Sequence, residues 1–349
     1  MIAEDVALVI EGGGMRNAYT AACIDQLLAH DVHFGWVGGI SAGASHTVNF
    51  LSGDRKRARE SFVELGSSPK TGGIGSLLRG SGYFNAEYIY ETAGAPGNDL
   101  PFDWDAFAAD PTPLRIGATR ADTGESVYWG RDDFADLPDL MRKVRASSTL
   151  PGLMPVPTID GVDYVDGALG DSGGLILDAA MRDGFERFLV LRTKPRGYVR
   201  PELRRSQVVK QLLRKRPAVA QALIKRPAKY NAASEKISEL EKSGRAVVFY
   251  PENMKIQNTE RNFAKLEEAW DLGMAQTKRE WDSWMEFLEK QPIGCGGIFT
   301  GSCVGVSVEF SSVTPCGGSY RLENSARLSC SRESFTPDGW EITVPGVSF

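Results

Sequence analysis

Seven short apolar runs punctuate this chain, and between them the apolar residues recur at helical spacing. The runs cover 6–10, 36–40, 114–120, 126–129, 162–165, 188–192 and 246–250. Helical patterns fill 18–30, 42–52, 55–65, 86–93, 136–147, 175–183, 203–216, 231–243 and 259–288. A strand that is apolar along its whole length is buried on both faces, and the intervening helices supply the cover. The pattern predicts an α/β fold with a mostly parallel sheet between helical layers. "TRADTGES", Thr119 to Ser126, joins two of the runs by a connection too short for a crossover. One hairpin therefore makes the sheet mixed.

A chain of 349 residues has ample length to bury such a sheet, in one large domain or two smaller ones. Its net charge of −5 gives no overall attraction to nucleic acid. The opening "MIAEDVALVI" places two acids where a secretory leader needs bases. No stretch reads as continuously apolar over the length of a bilayer span. Of five cysteines, only Cys23 falls before residue 291; it shares an apolar helical face with Ile24, Leu27 and Leu28 and reads as core. The main body is expected to be cytoplasmic.

Two segments break the alternation. Arg192 to Lys229 holds thirteen lysines or arginines against a single acid, Glu202. Within it, "RRSQVVKQLLRKRP" sets Val208, Val209, Leu212 and Leu213 on one helical face, with Lys210 and Arg214 opposite. Such a helix suits peripheral contact with an anionic membrane, or a solvated helix resting on the core. From Pro292 onward helical periodicity stops, and Gly, Ser and four cysteines take over. Those cysteines contain no closely spaced pair of the kind zinc sites use, so no metal or other cofactor is expected.

The candidate chemistry begins in "WVGGISAGASHTVNFL". Gly39-Ile40-Ser41-Ala42-Gly43 fits G-x-S-x-G, set between an apolar strand and a helix, the setting of a nucleophile elbow. Alone, the pentapeptide also fits an ordinary tight turn. A serine nucleophile needs a base. The histidines are His30, His33 and His46, and only His46 follows Ser41, five residues on in the same helix. That is too near to fold back, so the base must be Lys, Asp or Glu; the S-x-x-K spacing is absent. "VDYVDGALGDSGG" runs a strand directly into Asp166-Gly167-Ala168, which is either a base at a strand end or a plain Asp-Gly turn, with Asp171 as its rival. Gly12-Gly13-Gly14 ends the first run and precedes a helix capped by Asn17, where backbone N–H groups can face a developing anion. A dinucleotide loop fits less well. The third glycine of G-x-G-x-x-G is missing, and no ribose-binding acid ends the next strand.

Taken together, Gly12-Gly13-Gly14-Met15-Arg16-Asn17, Gly39-Ile40-Ser41-Ala42-Gly43 and Asp166-Gly167-Ala168 resemble the ordered motifs of the patatin-like phospholipase family. "RASSTLPGLMPV" and the region after residue 225 resemble further segments of bacterial members, so the likeness spans about residues 5 to 290. It implies a three-layer α/β/α fold and hydrolysis of lipid acyl esters by a Ser-Asp dyad. Ser41 would attack, Asp166 would carry the proton, and Gly12, Gly13, Gly14 and Arg16 would hold the oxyanion. Gly39, Gly43 and Gly167 would support the turns. Two departures stand out: Asn17 replaces the family's last glycine, and "GDSGG" replaces a proline-containing turn. The competing expectation is a catalytically silent member that binds acyl chains or a protein partner.

The resulting expectations are a catalytic core over 1–200, a basic helical extension packed on it over 201–291, and a dispensable tail of short strands or disorder over 292–349. The expected partners are a lipid or acyl-ester substrate and an anionic membrane at the inner face, with no nucleic acid.

Overall fold

From Val6 to Ile10 the first strand is buried on both faces, which places it in the interior of a sheet. This computed structural model describes residues 1–290; the tail expected over 292–349 lies outside the described residues. Eight strands form the sheet: β1 (Ile2–Ile10), β2 (His33–Ile40), β3 (Leu114–Arg120), β4 (Ser126–Trp129), β5 (Thr158–Ile159), β6 (Val162–Asp166), β7 (Arg187–Leu191) and β8 (Ala246–Phe249). Their order is β5-β6-β3-β2-β1-β7-β8, with β4 on the other side of β3. β3, β2, β1, β7 and β8 are parallel, while β4 and β6 run against β3. The mixed, mostly parallel sheet and its hairpin are as the apolar runs predict.

Eleven α-helices accompany these strands among the described residues: α1 (Asn17–Ala29), α2 (Ala42–Leu51), α3 (Arg55–Glu60), α4 (Glu64–Ser67), α5 (Ile74–Leu78), α6 (Trp104–Ala109), α7 (Leu137–Ser148), α8 (Leu177–Arg182), α9 (Ser206–Leu212), α10 (Pro217–Lys242) and α11 (Phe263–Glu289). The alternation of β1 sorts them into two layers. Leu8 and Ile10 join a core with Tyr19, Ile24, Val144 and Trp284, which come from α1, α7 and α11. Ala7 and Val9 point the other way, to Ala180, Tyr230 and Ile237 on α8 and α10. The result is an α/β/α sandwich.

One helix corrects the sequence reading. The pattern predicts a helix from 231, yet α10 begins at Pro217 and carries Pro227 in its interior. Proline removes one helical N–H and crowds the carbonyl four residues back. Here Val219, Ala220 and Ala222 before it, and Tyr230, Ile237 and Leu240 after it, are all buried. That packing outweighs the lost bond.

The pairing around β3 sets up the site. Ile40, the last residue of β2, pairs with Gly117. Asp166, the last residue of β6, pairs with Ala118. β4 occupies the opposite side of both β3 positions, so β2 and β6 lie on one side of β3 and meet end to end. The residues at their two carboxyl ends are therefore brought together.

Candidate active site

Ser41 leaves β2 with φ of 58° and ψ of −129° and starts α2. A left-handed φ is strained for a residue with a side chain, and such strain collects at functional turns. Tight packing enforces it: a Cβ on Gly39 would lie 2.2 Å from the Gly43 carbonyl oxygen, and one on Gly43 would lie 2.4 Å from that of Ile10. From α7, the Ser147 hydroxyl accepts the Ser41 N–H at 2.9 Å and donates to the Gly117 carbonyl at 2.6 Å. The serine is thereby tied to β3 as well as to β2. No spacing in the sequence marks Ser147 for this role.

Asp166 is almost fully buried. Its carboxylate accepts the Ala168 N–H at 2.8 Å, and its backbone is held by Thr149 and Thr119. A Cβ on Gly167 would sit 2.2 Å from the Gly117 carbonyl oxygen, so only glycine lets this turn close against β3. Burial pushes the Asp166 carboxyl above the usual carboxylate range. The positive charge of Arg226, the Ala168 N–H, a hydrogen bond from Ser41 and the charge of Arg200 oppose that shift. Asp171 is placed elsewhere: it is exposed and paired with Lys229 at 3.0 Å.

The glycine loop is held by groups the sequence reading passed over. Glu11, immediately before it, is buried and accepts Arg192 Nε at 3.0 Å, the Thr193 N–H at 2.7 Å and the Tyr230 hydroxyl at 2.7 Å. Thr193 Oγ1 donates to the Gly12 carbonyl at 3.1 Å, and the Met15 N–H reaches the Asn258 carbonyl at 3.0 Å. A carboxylate wedged between an apolar strand and three glycines was the available signal, because a buried charge needs partners.

The loop corrects two expectations. The Gly12 N–H is committed to the Gly174 carbonyl at 3.2 Å, so Gly12 is not free to donate to an oxyanion. The "GDSGG" segment thus supports the glycine loop through Gly174. Asn17 is the first residue of α1 rather than its cap, with a right-handed φ of −68°. It needs no glycine-like freedom, and its side chain bonds to Gly14 and Thr20. The Gly13 and Gly14 N–H groups have no acceptor among the described residues.

These parts share one cavity. Gly12, Gly13, Gly14, Arg16, Ser41 and Asp166 line it, joined by Arg226 and Asn258. Phe62, Leu65, Phe84, Met141, Val144 and Leu150 line much of the remainder and make it apolar. His46 does not line it: Nε2 donates to the Asn17 carbonyl at 3.0 Å, and the ring stacks near Phe62. The arrangement can hold an apolar chain beside a serine, a carboxyl and free backbone donors. No cluster of metal-ligating side chains occurs among the described residues.

Residues 8–179 match the family model described as patatin-like phospholipase, and residues 216–289 match a domain of unknown function, DUF6363. The chain is 27% identical over 201 residues to the uncharacterized protein YjjU of Escherichia coli (strain K12). That alignment covers 54% of this chain and 52% of YjjU, so the chain spans about half the length of the curated relative it matches. The crystal structure of VipD from Legionella pneumophila is similar with a TM-score of 0.43 and 13% identity, covering 80% of this chain and 67% of that one.

Proposed function

Because residues 8–179 belong to the patatin-like phospholipase family, a family of lipid hydrolases, we propose that this chain is a serine esterase of phospholipase A type using a Ser41–Asp166 dyad. The observation that carries the proposal is the end-to-end meeting of β2 and β6 on β3, which delivers a strained serine and a buried carboxyl to one cavity. Asp166 accepts the Ser41 proton as Oγ bonds to the ester carbon, and the carbonyl electron pair moves onto oxygen. The Gly13 and Gly14 N–H groups stabilise that oxyanion. Collapse breaks the ester C–O bond, and the Asp166 proton passes to the departing alkoxide. Water then adds to the acyl-serine while Asp166 takes its proton; the second collapse returns that proton to Ser41 and releases the acid. An aspartate is a weaker base than imidazole, and burial favours its activity by raising its pKa. The apolar wall accommodates the acyl chain. By the same reading the protein works on lipid at a membrane face, with α9 as its basic contact.

Hydrolysis of p-nitrophenyl butyrate by folded variants tests the dyad. Ser41→Ala and Asp166→Asn should each lose on the order of 10³-fold, because paired groups act as a unit. His46→Ala, where it folds, should retain activity, and a fluorophosphonate should label Ser41. Turnover surviving in Asp166→Asn but absent from His46→Ala would overturn the assignment.

A further inference from the structure

Four cations, Arg16, Lys194, Arg200 and Arg226, gather around the cavity with only Glu11 and Asp166 as acids within their reach, and none of them forms an ion pair among the described residues. Arg16 and Arg226 line the cavity itself, alongside Ser41 and Asp166. Lys194 and Arg200 do not line it but lie near enough to act on Arg16 and Arg226 by charge; Lys194 Nζ is 4.5 Å from the Tyr198 ring centre and Arg200 Cζ 4.5 Å from that of Tyr230. Arg200 is fixed to α10 through both backbone groups, which bond to Asn231. Arg226 Nε makes a single long bond, 3.4 Å, to the Gly173 carbonyl. The Nε atoms of Arg16 and Arg200 are buried with no partner among the described residues.

Elsewhere an unpartnered Nε occurs in Arg145 and Arg261, but each still places another guanidinium nitrogen on an acceptor. Arg57, Arg131, Arg145, Arg187 and Arg192 find carboxylates or carbonyls. Arg16, Lys194, Arg200 and Arg226 form no ion pair among the described residues. The nearest acids are already occupied, since Glu11 pairs with Arg192 and Asp166 faces Ser41. The four also feel one another: burial first, then the charges of Arg16 and Arg200, brings Lys194 down to about 8. Like charges held together away from water are unfavourable unless an anion joins them.

We infer that this cluster is an anion-reading wall that selects esters carrying a phosphate monoester or comparably charged group beside the scissile bond, and that the chain beyond residue 192 exists in part to supply it. The inference rests on the hydrolase reading. Guanidinium groups bind phosphate oxygens through paired, charge-assisted hydrogen bonds, and a dianion answers four cations better than a zwitterionic headgroup does. Three of the four residues lie beyond the family-matched segment, and Arg226 falls in the domain of unknown function. Fold membership alone does not provide this preference.

The test compares phosphatidic acid and phosphatidylcholine of identical acyl chains in mixed micelles, at fixed ionic strength, for wild type, Arg226→Gln, Arg200→Gln and Lys236→Gln. The readout is the ratio of kcat/KM values, which cancels any general effect of Arg226 on Asp166. Wild type should favour phosphatidic acid by about tenfold or more, and the two arginine variants should lose most of that ratio. Lys236→Gln, which alters a half-buried α10 lysine paired with Glu239, should keep it. Calorimetric binding of short-chain phosphatidic acid to Ser41→Ala separates this inference from the dyad, because it needs no turnover. Binding there that weakens about tenfold or more when Arg226→Gln is added supports the wall even if Ser41 proves not to be the nucleophile. Equal ratios in wild type and variants, or binding indifferent to Arg226 and Arg200, overturns it. Inorganic phosphate that binds as tightly as the lipid would show a free-phosphate site and equally overturn headgroup selection.

Discussion

His46 lies five residues from Ser41, but it is buried and does not line the cavity that holds Ser41 and Asp166. Burial lowers its pKa from the usual 6.5 to about 4, and the hydrogen bond to the Asn17 carbonyl opposes this only in part. The folded protein keeps the ring neutral until about pH 4, whereas the unfolded chain protonates it near 6.5. The stability linked to the neutral ring is complete above 6.5 and falls as the pH drops toward 4, by about 3 kcal/mol. Urea unfolding of wild type and His46→Gln at pH 7 and pH 4.5 checks this. The wild-type advantage should shrink at the lower pH; a constant gap would refute the burial argument. Asp166 shifts oppositely, so esterase activity should fall on acidification while still above the ordinary carboxylate range. Ser41 and Asp166 were legible in the sequence because small neighbours and strand ends mark them. Ser147 was not, since a hydroxyl that bridges two strands looks like any other serine until the fold supplies its partners.

At the scale of elements, strands were read well because burial on both faces writes an unbroken apolar run. β5, with two residues, is too short to write one, and α10 was misplaced because Pro227 reads locally as a stop. α9 carries its amphipathic pattern outward: none of its residues is buried, and Val208 and Leu212 are 49% and 76% exposed. Leu213, just past its end, packs against Val219 and Ala222, which leaves the Val208 and Leu212 side to be tested against a lipid surface. Flotation with anionic vesicles should recover the protein, and Val208→Ser with Leu212→Ser should reduce recovery several-fold, at ~1 kcal/mol for each well-placed neighbouring cation that remains. Equal recovery with neutral and anionic vesicles would exclude this contact.

The molecule as a whole depends on its late elements. α11 lies against α1 through Tyr19, whose hydroxyl reaches Gln276 Oε1 at 2.6 Å, and through Cys23 Sγ, 3.3 Å from Thr277 Oγ1. At Gly273 a Cβ would fall 2.2 Å from the Tyr19 carbonyl oxygen. A chain ending at Gln291 retains every described residue lining the cavity and should keep wild-type kcat/KM with p-nitrophenyl butyrate. One ending at Asn262 uncovers Tyr19, Ile24 and Phe249 and should be insoluble. Loss of activity from the soluble 1–291 chain would show that the tail belongs to the working protein. Within the part described, β3 acts as a ruler. Ile40 occupies the rung at Gly117 and Asp166 the next one at Ala118, so one peptide step of ~3.8 Å along β3, rather than the loops between them, sets the spacing of the two strand ends from which Ser41 and Asp166 act. The hundred-odd intervening residues can lengthen or shorten without moving either mark, but a slip of β6 by one residue would turn the carboxyl to the opposite face of the sheet.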